Sequence, residues 1–313
     1  MYNPCTRIDL RIDLHTGSHH QLHAAYAGVR RFLLGRGSVP AAPGYTVFTY
    51  DGTHVQQAAA LGETPGDALV AGRHDRCDLV LPDDPSVSLR HLLLRVHRDD
   101  YGTLTLDMLN LRAPLELTLC DGSATHSLQG SGIVAAQLGQ YSIIGLPSDL
   151  DPSSLPNSLP TNTPLGIPAS QWEYDASSIS RIGPRRSPSH ASELPLSAKN
   201  AAGRLLLETQ ATETGLWLSA DQLRRGVVVG RYTRCVGGTI RGLFDDVVSR
   251  THLLFCGEAG KPIAYDLASR NGVWQDGQRV RRIQLDTKTT LSLGRKKRVL
   301  VTWEPSALAD FTL

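Results

Sequence analysis

The chain has 313 residues, enough for about two domains, and its 32 Lys and Arg against 30 Asp and Glu leave a net charge of +2. That balance argues against a dedicated nucleic-acid binder and against an enzyme of acidic substrates. Aromatic residues make up only 6% while Gly is plentiful, a composition suited to many short strands joined by turns.

The opening "MYNPCTRIDLRIDL" is broken by charge, and no stretch approaches the ~18 apolar residues that a membrane span requires. Cys5, Cys77, Cys120, Cys235 and Cys256 are scattered without CxxC spacing, as expected of reduced thiols. Together these features predict a soluble, cytoplasmic protein without a membrane anchor. Residues 19–34, "HHQLHAAYAGVRRFLL", carry Leu22, Ala25, Val29, Phe32 and Leu33 at helical spacing. One short amphipathic helix, packed on the first folded domain, is expected within an extension covering residues 1–44. His19, His20 and His23 lie beside no Cys or acid, so a solvated helix face is expected there and no metal site.

From residue 45 the chain reads as short strands bounded by Gly, Asp or Pro, recurring about every 8–12 residues, the mark of an antiparallel β-sandwich. "TYDGTH" near Tyr50 and "QDGQ" at residues 275–278 are hairpin turns, because Asp-Gly tolerates positive φ. The pattern occurs twice. "GRHDRCDLVLPDDPSVSLRHLLL" from Gly72 and "GRYTRCVGGTIRGLFDDVVSRTHLLF" from Gly230 share Gly-Arg, Arg-Cys and Ser-x-x-His-Leu-Leu. Each copy continues to a strand with an Asp (Asp107, Asp266) and closes on a strand ending in Gly (Gly145, Gly294). Such internal similarity predicts two copies of one all-β unit, at residues 45–147 and 203–305. Between them, residues 148–202 are rich in Pro and Ser and cannot fill a core, so a linker is expected. Its Trp172 and Tyr174 are candidates for docking on a domain, and its "PRRSPSH" is a weak kinase-substrate match. Residues 306–313 form a tail.

Ser249 and His252 in "VVSRTHLLF" raise the possibility of a nucleophile with its base. No G-x-S-x-G elbow surrounds the Ser, and "GEAGK" at residues 257–261 is too short for a phosphate loop. Anion binding fits better. Arg231 and Arg250 bring guanidinium forks, and Ser249 brings a hydroxyl donor. "DLASRNG" adds Ser269, Arg270 and Asn271 on a turn closed by Gly272, where an Asn amide has the donor and acceptor to grip an extended peptide.

The ordered set Gly230-Arg231, Ser249-Arg250-Thr251-His252, Asp266-Leu267-Ala268-Ser269-Arg270-Asn271-Gly272 and Leu291-Ser292-Leu293-Gly294 resembles the forkhead-associated (FHA) domain. That family consists of β-sandwiches that bind phosphothreonine peptides in the loops at one end, and it reads phospho-motifs with Arg clusters. The resemblance implies two FHA-like antiparallel β-sandwiches. It implies that Arg231 and Ser249 contact phosphate and that Arg250 adds charge. Ser269 and Arg270 would line the phosphothreonine pocket, and Asn271 would hold the peptide main chain. Gly230, His252 and Gly272 would be structural. In the first copy Gly72-Arg73, Ser88 and His91 are in place, but Leu89 fills the usual Arg slot and Arg has moved to Arg90. Aligning "NLRA", residues 110–113, with Ser-x-Asn-Gly puts Arg112 in place of the clamp Asn and Ala113 in place of the Gly. This copy is expected to be a degenerate, mainly structural or protein-contact module.

The expected function is a non-catalytic adaptor without cofactors, whose partner is a phosphothreonine-containing protein, a Ser/Thr kinase or its substrate. The alternative is a phosphate-independent scaffold. A third arrangement has a linker phosphothreonine, at Thr161 or Thr163, occupying the C-terminal pocket. "GRKKR" at residues 294–298 is expected to be a solvated strand or turn guarding a sheet edge, with attraction for acidic partners as its functional alternative.

Overall fold

The structure is a computed structural model. It describes residues 6–11, 18–36, 43–63, 67–99, 101–111, 113–159, 165–167, 179–180, 201–232, 235–236, 244, 246–258, 261–296 and 298–306. The chain divides into two units, Met1–Gln171 and Trp172–Leu313. Trp172, Tyr174, Thr161, Thr163, Arg112, Cys5 and the "PRRSPSH" run lie outside the described residues.

In the first unit a seven-stranded antiparallel sheet runs, edge to edge, through Thr6–Arg11, His54–Gly62, Gly44–Tyr50, Tyr141–Pro147, Val134–Leu138, Leu117–Thr118 and Ala124–Thr125. A six-stranded sheet faces it, ordered Leu165–Ile167, Ser127–Ser131, Leu104–Asn110, Leu92–Arg98, Ala68–Gly72 and Leu79–Val80. Successive strand residues point to opposite faces. Leu92, Leu94, Val96, Leu106 and Met108 therefore meet Tyr45, Val47, Ala136, Leu138 and Ile143 in one core.

The outer face of the seven-stranded sheet is apolar as well, with Phe48, Tyr50, Val55, Ile144 and Leu146 all buried. Helix α1 (Ser18–Arg36) covers it with Leu22, Ala25, Tyr26 and Val29, and Phe32 meets Phe48 edge-on at 6.3 Å. This is the expected amphipathic helix. The start of the Pro/Ser-rich segment closes over it. Leu155 and Leu159 are buried in the same cluster, the Tyr26 hydroxyl donates to the Pro156 carbonyl at 2.9 Å, and Arg30 Nε donates to that of Leu155 at 3.2 Å. Two leucines four residues apart supply apolar surface that the surrounding prolines and serines conceal in the composition.

In the second unit a seven-stranded sheet runs through Ile179–Ser180, Glu213–Ser219, Ala201–Thr209, Val299–Pro305, Thr289–Leu293, Val273–Gln275 and Gln278–Val280. The facing four-stranded sheet is ordered Val227–Val229, Leu253–Glu258, Lys261–Asp266 and Arg282–Gln284. Leu205, Leu207, Leu216, Leu291, Val301 and Trp303 pack against Val229, Leu253, Phe255 and Ala264. At "QDGQ", Asp276 and Gly277 have φ of 49° and 81°, the pair of positive values that a type I′ hairpin demands. The "TYDGTH" turn is built differently: Asp51 Oδ1 accepts the backbone N–H of Thr53 and His54, an Asx-type turn.

One element carries no sequence periodicity. Helix α2 (Ala220–Arg225) is only six residues long, with a capping box between Ser219 and Gln222, and it places Leu223 in the core. Cys77, Cys120, Cys235 and Cys256 are not joined in disulfides, and burial pushes the Cys77 thiol up to about 12. Among the described residues no helix is long and apolar enough to cross a membrane.

Tyr26 separates helix packing from its hydrogen bond. Tyr26→Ala is expected to cost the first unit about 3–5 kcal/mol, and Tyr26→Phe about 1 kcal/mol, in thermal or denaturant unfolding of the chain.

Candidate functional site

Strand pairing positions the site. Val229 lies opposite Leu253, and Leu253 lies opposite Asp266. The start of the middle strand thus sits beside the ends of both its neighbours. The loops that begin at Gly230, end at His252 and begin at Leu267 consequently leave from one end of the sheet.

Backbone hydrogen bonds lock the first two loops together. Arg231 N–H donates to the Ser249 carbonyl at 3.1 Å and Tyr232 N–H to that of Arg250 at 3.0 Å. The approach is so close that a Cβ on Gly230 would lie 2.2 Å from the Arg250 oxygen. Any side chain there would force the loops apart. Arg231 Nε also donates to the Val248 carbonyl at 2.8 Å, which fixes the direction of its guanidinium.

His252 joins the second loop to the third. Its ring is fully buried; Nδ1 accepts the Ser249 N–H at 3.0 Å, and Nε2 lies 3.2 Å from the Gly272 carbonyl. A backbone N–H only donates and a carbonyl only accepts, so the ring is the neutral tautomer with its proton on Nε2. Both nitrogens are therefore committed to the backbone, and neither is placed to take a proton from the Ser249 hydroxyl.

The third loop is a tight turn. Asp266 Oδ1 accepts Ser269 N–H at 2.9 Å, and the Ser269 hydroxyl accepts Gly272 N–H at 3.0 Å. Gly272 has φ of 76°, in the left-handed region that favours glycine. Asn271 Nδ2 donates to the Val247 carbonyl at 2.7 Å, and Arg270 N–H donates to Ser249 Oγ at 3.0 Å. Ser249 Oγ thus accepts one bond while its own proton stays available to an outside acceptor.

Arg231, Arg250 and Arg270 are exposed around the nearly buried Ser249, with Asn271 half-buried beside them. These residues stand on three loops that hydrogen bonds hold together. Ser269 corrects the expectation that it lines the pocket. It is fully buried and shapes the turn from beneath.

The first unit repeats the bonds between the first two loops, while its His91 reaches the third loop one residue earlier, at Leu115, than His252 does at Gly272. Arg73 N–H donates to the Ser88 carbonyl and His74 N–H to that of Leu89, both at 3.0 Å. Arg73 Nε donates to Val87, and His91 accepts Ser88 N–H at 3.0 Å while reaching the Leu115 carbonyl at 3.0 Å. The register, however, overturns the alignment of "NLRA" with the clamp. Asn110 lies opposite Leu92 as Asp266 lies opposite Leu253, and Asn110 Oδ1 accepts Ala113 N–H at 2.6 Å as Asp266 accepts Ser269 N–H. Ala113-Pro114-Leu115-Glu116 therefore stand where Ser269-Arg270-Asn271-Gly272 stand. Asp107 is not the equivalent of Asp266 either; it forms a buried ion pair with Arg95 at 2.8 Å.

The clamp is thus replaced more thoroughly than sequence alignment predicts. The position of Arg250 holds Leu89, 39% exposed, and Arg90, buried at the position of Thr251, presents little of its charge. Glu116, in the slot of Gly272, sets a carboxylate 2.7 Å from His126 Nδ1.

Among the described residues there is no cluster suited to a metal ion. His23 is exposed on α1, and the side chains of His19 and His20 lie outside the described set.

Two outcomes are expected. His252→Ala leaves Ser249 N–H and the Gly272 carbonyl without their partner and should cost the second unit about 2–4 kcal/mol in denaturant unfolding. In the first unit burial pushes His91 down to about 4 from an ordinary 6.5. The unfolded chain then takes up this proton at higher pH than the folded one. Stability is full above about 6.5 and falls as pH drops towards about 4, by up to about 3 kcal/mol. Melting temperatures at about pH 7 and about pH 5 should diverge in the wild type and converge in His91→Gln.

An FHA domain model matches residues 69–123 and 227–294. No curated protein matches the chain. Among solved structures, the chain is similar to FHA-1 of Mycobacterium tuberculosis Rv1747, at 24% identity over 34% of this chain and 99% of that one, with a TM-score of 0.27. It is also similar to the FHA domain of CT664 from Chlamydia trachomatis, at 23% identity over 33% and 99%, TM-score 0.24. A third is Mycobacterium tuberculosis EmbR in complex with a low-affinity phosphopeptide, at 19% identity over 34% of this chain and 25% of that one, TM-score 0.26. The chain carries two forkhead-associated domains, one in each unit.

Proposed function

We propose that this protein is a non-catalytic adaptor in Ser/Thr-kinase signalling whose C-terminal domain binds a phosphothreonine-containing segment of a partner, a kinase or its substrate. One observation carries the proposal. Three exposed arginines, Arg231, Arg250 and Arg270, stand on loops bonded to one another beside a Ser249 hydroxyl with a donor to spare. A phosphate carries close to two negative charges and three strong acceptors, which call for this kind of donor set. FHA domains are protein-interaction modules that read phospho-motifs through Arg clusters.

Arg231 and Ser249 are assigned to the phosphate oxygens, and Arg250 to the charge beside them. Arg270 is assigned to the wall of the phosphothreonine pocket, and Asn271 to the peptide main chain. Gly230, His252, Ser269 and Gly272 hold the loops. The first domain is assigned a structural or protein-contact role, because Leu89, Leu115 and Glu116 stand where a phosphopeptide reader needs Arg, Asn and Gly.

Binding of paired Thr and phosphothreonine peptides to the full chain tests this assignment. The phosphorylated form should bind at least about ten-fold more tightly. Arg231→Ala or Ser249→Ala should weaken it by about 10- to 100-fold, roughly 1.4–2.8 kcal/mol. Arg73→Ala should change it by less than about two-fold. Equal affinity for both peptide forms would overturn the proposal in favour of a phosphate-independent scaffold.

A further inference from the structure

The basic run Gly294-Arg295-Lys296-Lys297-Arg298 has no part in the phosphate and main-chain contacts assigned to the second domain, and its place in the fold is not the sheet edge expected from sequence. It joins Thr289–Leu293 to Val299–Pro305, and each of these strands has a neighbour on both sides. Protection of an edge therefore does not explain its charge.

What the run touches is the clamp. Gly294 N–H donates to the Gly272 carbonyl at 2.9 Å. A Cβ on Gly294 would lie 3.4 Å from that of Asn271 and 2.9 Å from Val247 Cγ1. The run is thus a fourth loop of the same site, packed on the Asn271 turn. The next residue, Arg295, sets its guanidinium 5.8 Å from the centre of the Trp274 ring, within cation–π range. The Trp274 indole N–H donates in turn to the Asn271 carbonyl at 2.8 Å. An exposed Arg is therefore laid on a half-buried aromatic plate tied to the residue assigned to the peptide backbone. Stacking removes rotamer freedom from the guanidinium and leaves its N–H edges to bind a carboxylate bidentately.

The local charge is one-sided. Among the described residues of loops 230–236, 244–252, 267–272 and 294–298, the exposed charged residues are Arg231, Arg250, Arg270, Arg295, Lys296 and Arg298 against one acid, Asp246. Asp266 is buried and already engaged by Ser269 and Arg279. Phosphate recognition as assigned uses the cations around Ser249 and leaves those on the Asn271 side without a function.

We propose that Arg295, held on Trp274 and supported by Lys296, reads an acidic side chain close in sequence to the phosphothreonine, so that the preferred ligand is a phosphothreonine in an acidic context. This specificity rests on the phosphothreonine-binding function proposed for the same site. Four peptides titrated into the full chain separate the two: Thr and phosphothreonine, each with Glu or with Gln at the flanking positions. The wild type should favour Glu-flanked over Gln-flanked phosphopeptide by about five- to ten-fold. Arg295→Gln should abolish that preference while leaving the Gln-flanked phosphopeptide within about two-fold of wild type. Trp274→Leu should reduce the preference as well. Equal wild-type affinity for the two phosphopeptides overturns the specificity while leaving phosphothreonine binding intact, and so does an Arg295→Gln variant that weakens both alike. Failure of the parent reading is distinct: the Gln-flanked Thr and phosphothreonine peptides then bind equally. Should Arg295→Gln fail to fold, Lys-flanked phosphopeptides test the wild type directly, and they should bind more weakly than the Gln-flanked ones.

Discussion

A buried imidazole holds together the loops at one end of the second domain. His252 accepts a backbone N–H from the loop carrying Ser249 and approaches a backbone carbonyl of the turn carrying Asn271. Each neighbour alone would be a loop end with unpaired polar groups away from water, which is costly. Joined through one ring, they become a single surface. The contact at Gly230 adds the loop of Arg231 on one side, and the bond from Gly294 to Gly272 adds the basic turn on the other. The bonds that order these loops are thus supplied from within the protein.

The two copies separate frame from chemistry. Arg73, Ser88 and His91 repeat the bonds by which Arg231, Ser249 and His252 join the first two loops, while the His91 ring meets the third loop at Leu115, one residue before the position of Gly272. The groups that face outward differ. Leu89 replaces a cation, Pro114 another, Leu115 an amide and Glu116 a glycine. A carboxylate in place of glycine adds negative charge, and a side chain there makes the left-handed backbone that Gly272 adopts more costly. The first domain keeps the loop bonds of the motif and presents different side chains at its surface.

Much of this was legible in the residues. The repeat, the strand pattern, the Asp-Gly hairpin at residues 275–278 and the face of α1 follow from periodicity and turn chemistry, which act over a few neighbours. Helix α2 was not legible, because six residues give no period and its signal is confined to a Ser219–Gln222 cap. Nor was the alignment of the damaged clamp. "NLRA" contains an Asn and precedes a strand, and only the pairing of Asn110 with Leu92 identifies it as the counterpart of Asp266.

The sequence by itself determined that two β-sandwich units recur and that the second retains Gly-Arg, Ser-x-x-His and Ser-x-Asn-Gly in order. It determined this because strands, turns and short motifs are written in local spacing. Tertiary structure alone decided which of those residues reach the surface. It buried Ser269 beneath the turn and brought Arg295 and Trp274 to the edge of the clamp. It also left Leu89 exposed where the other copy presents Arg250. Those outcomes depend on register between strands and on contacts between residues tens of positions apart, and no local pattern encodes either.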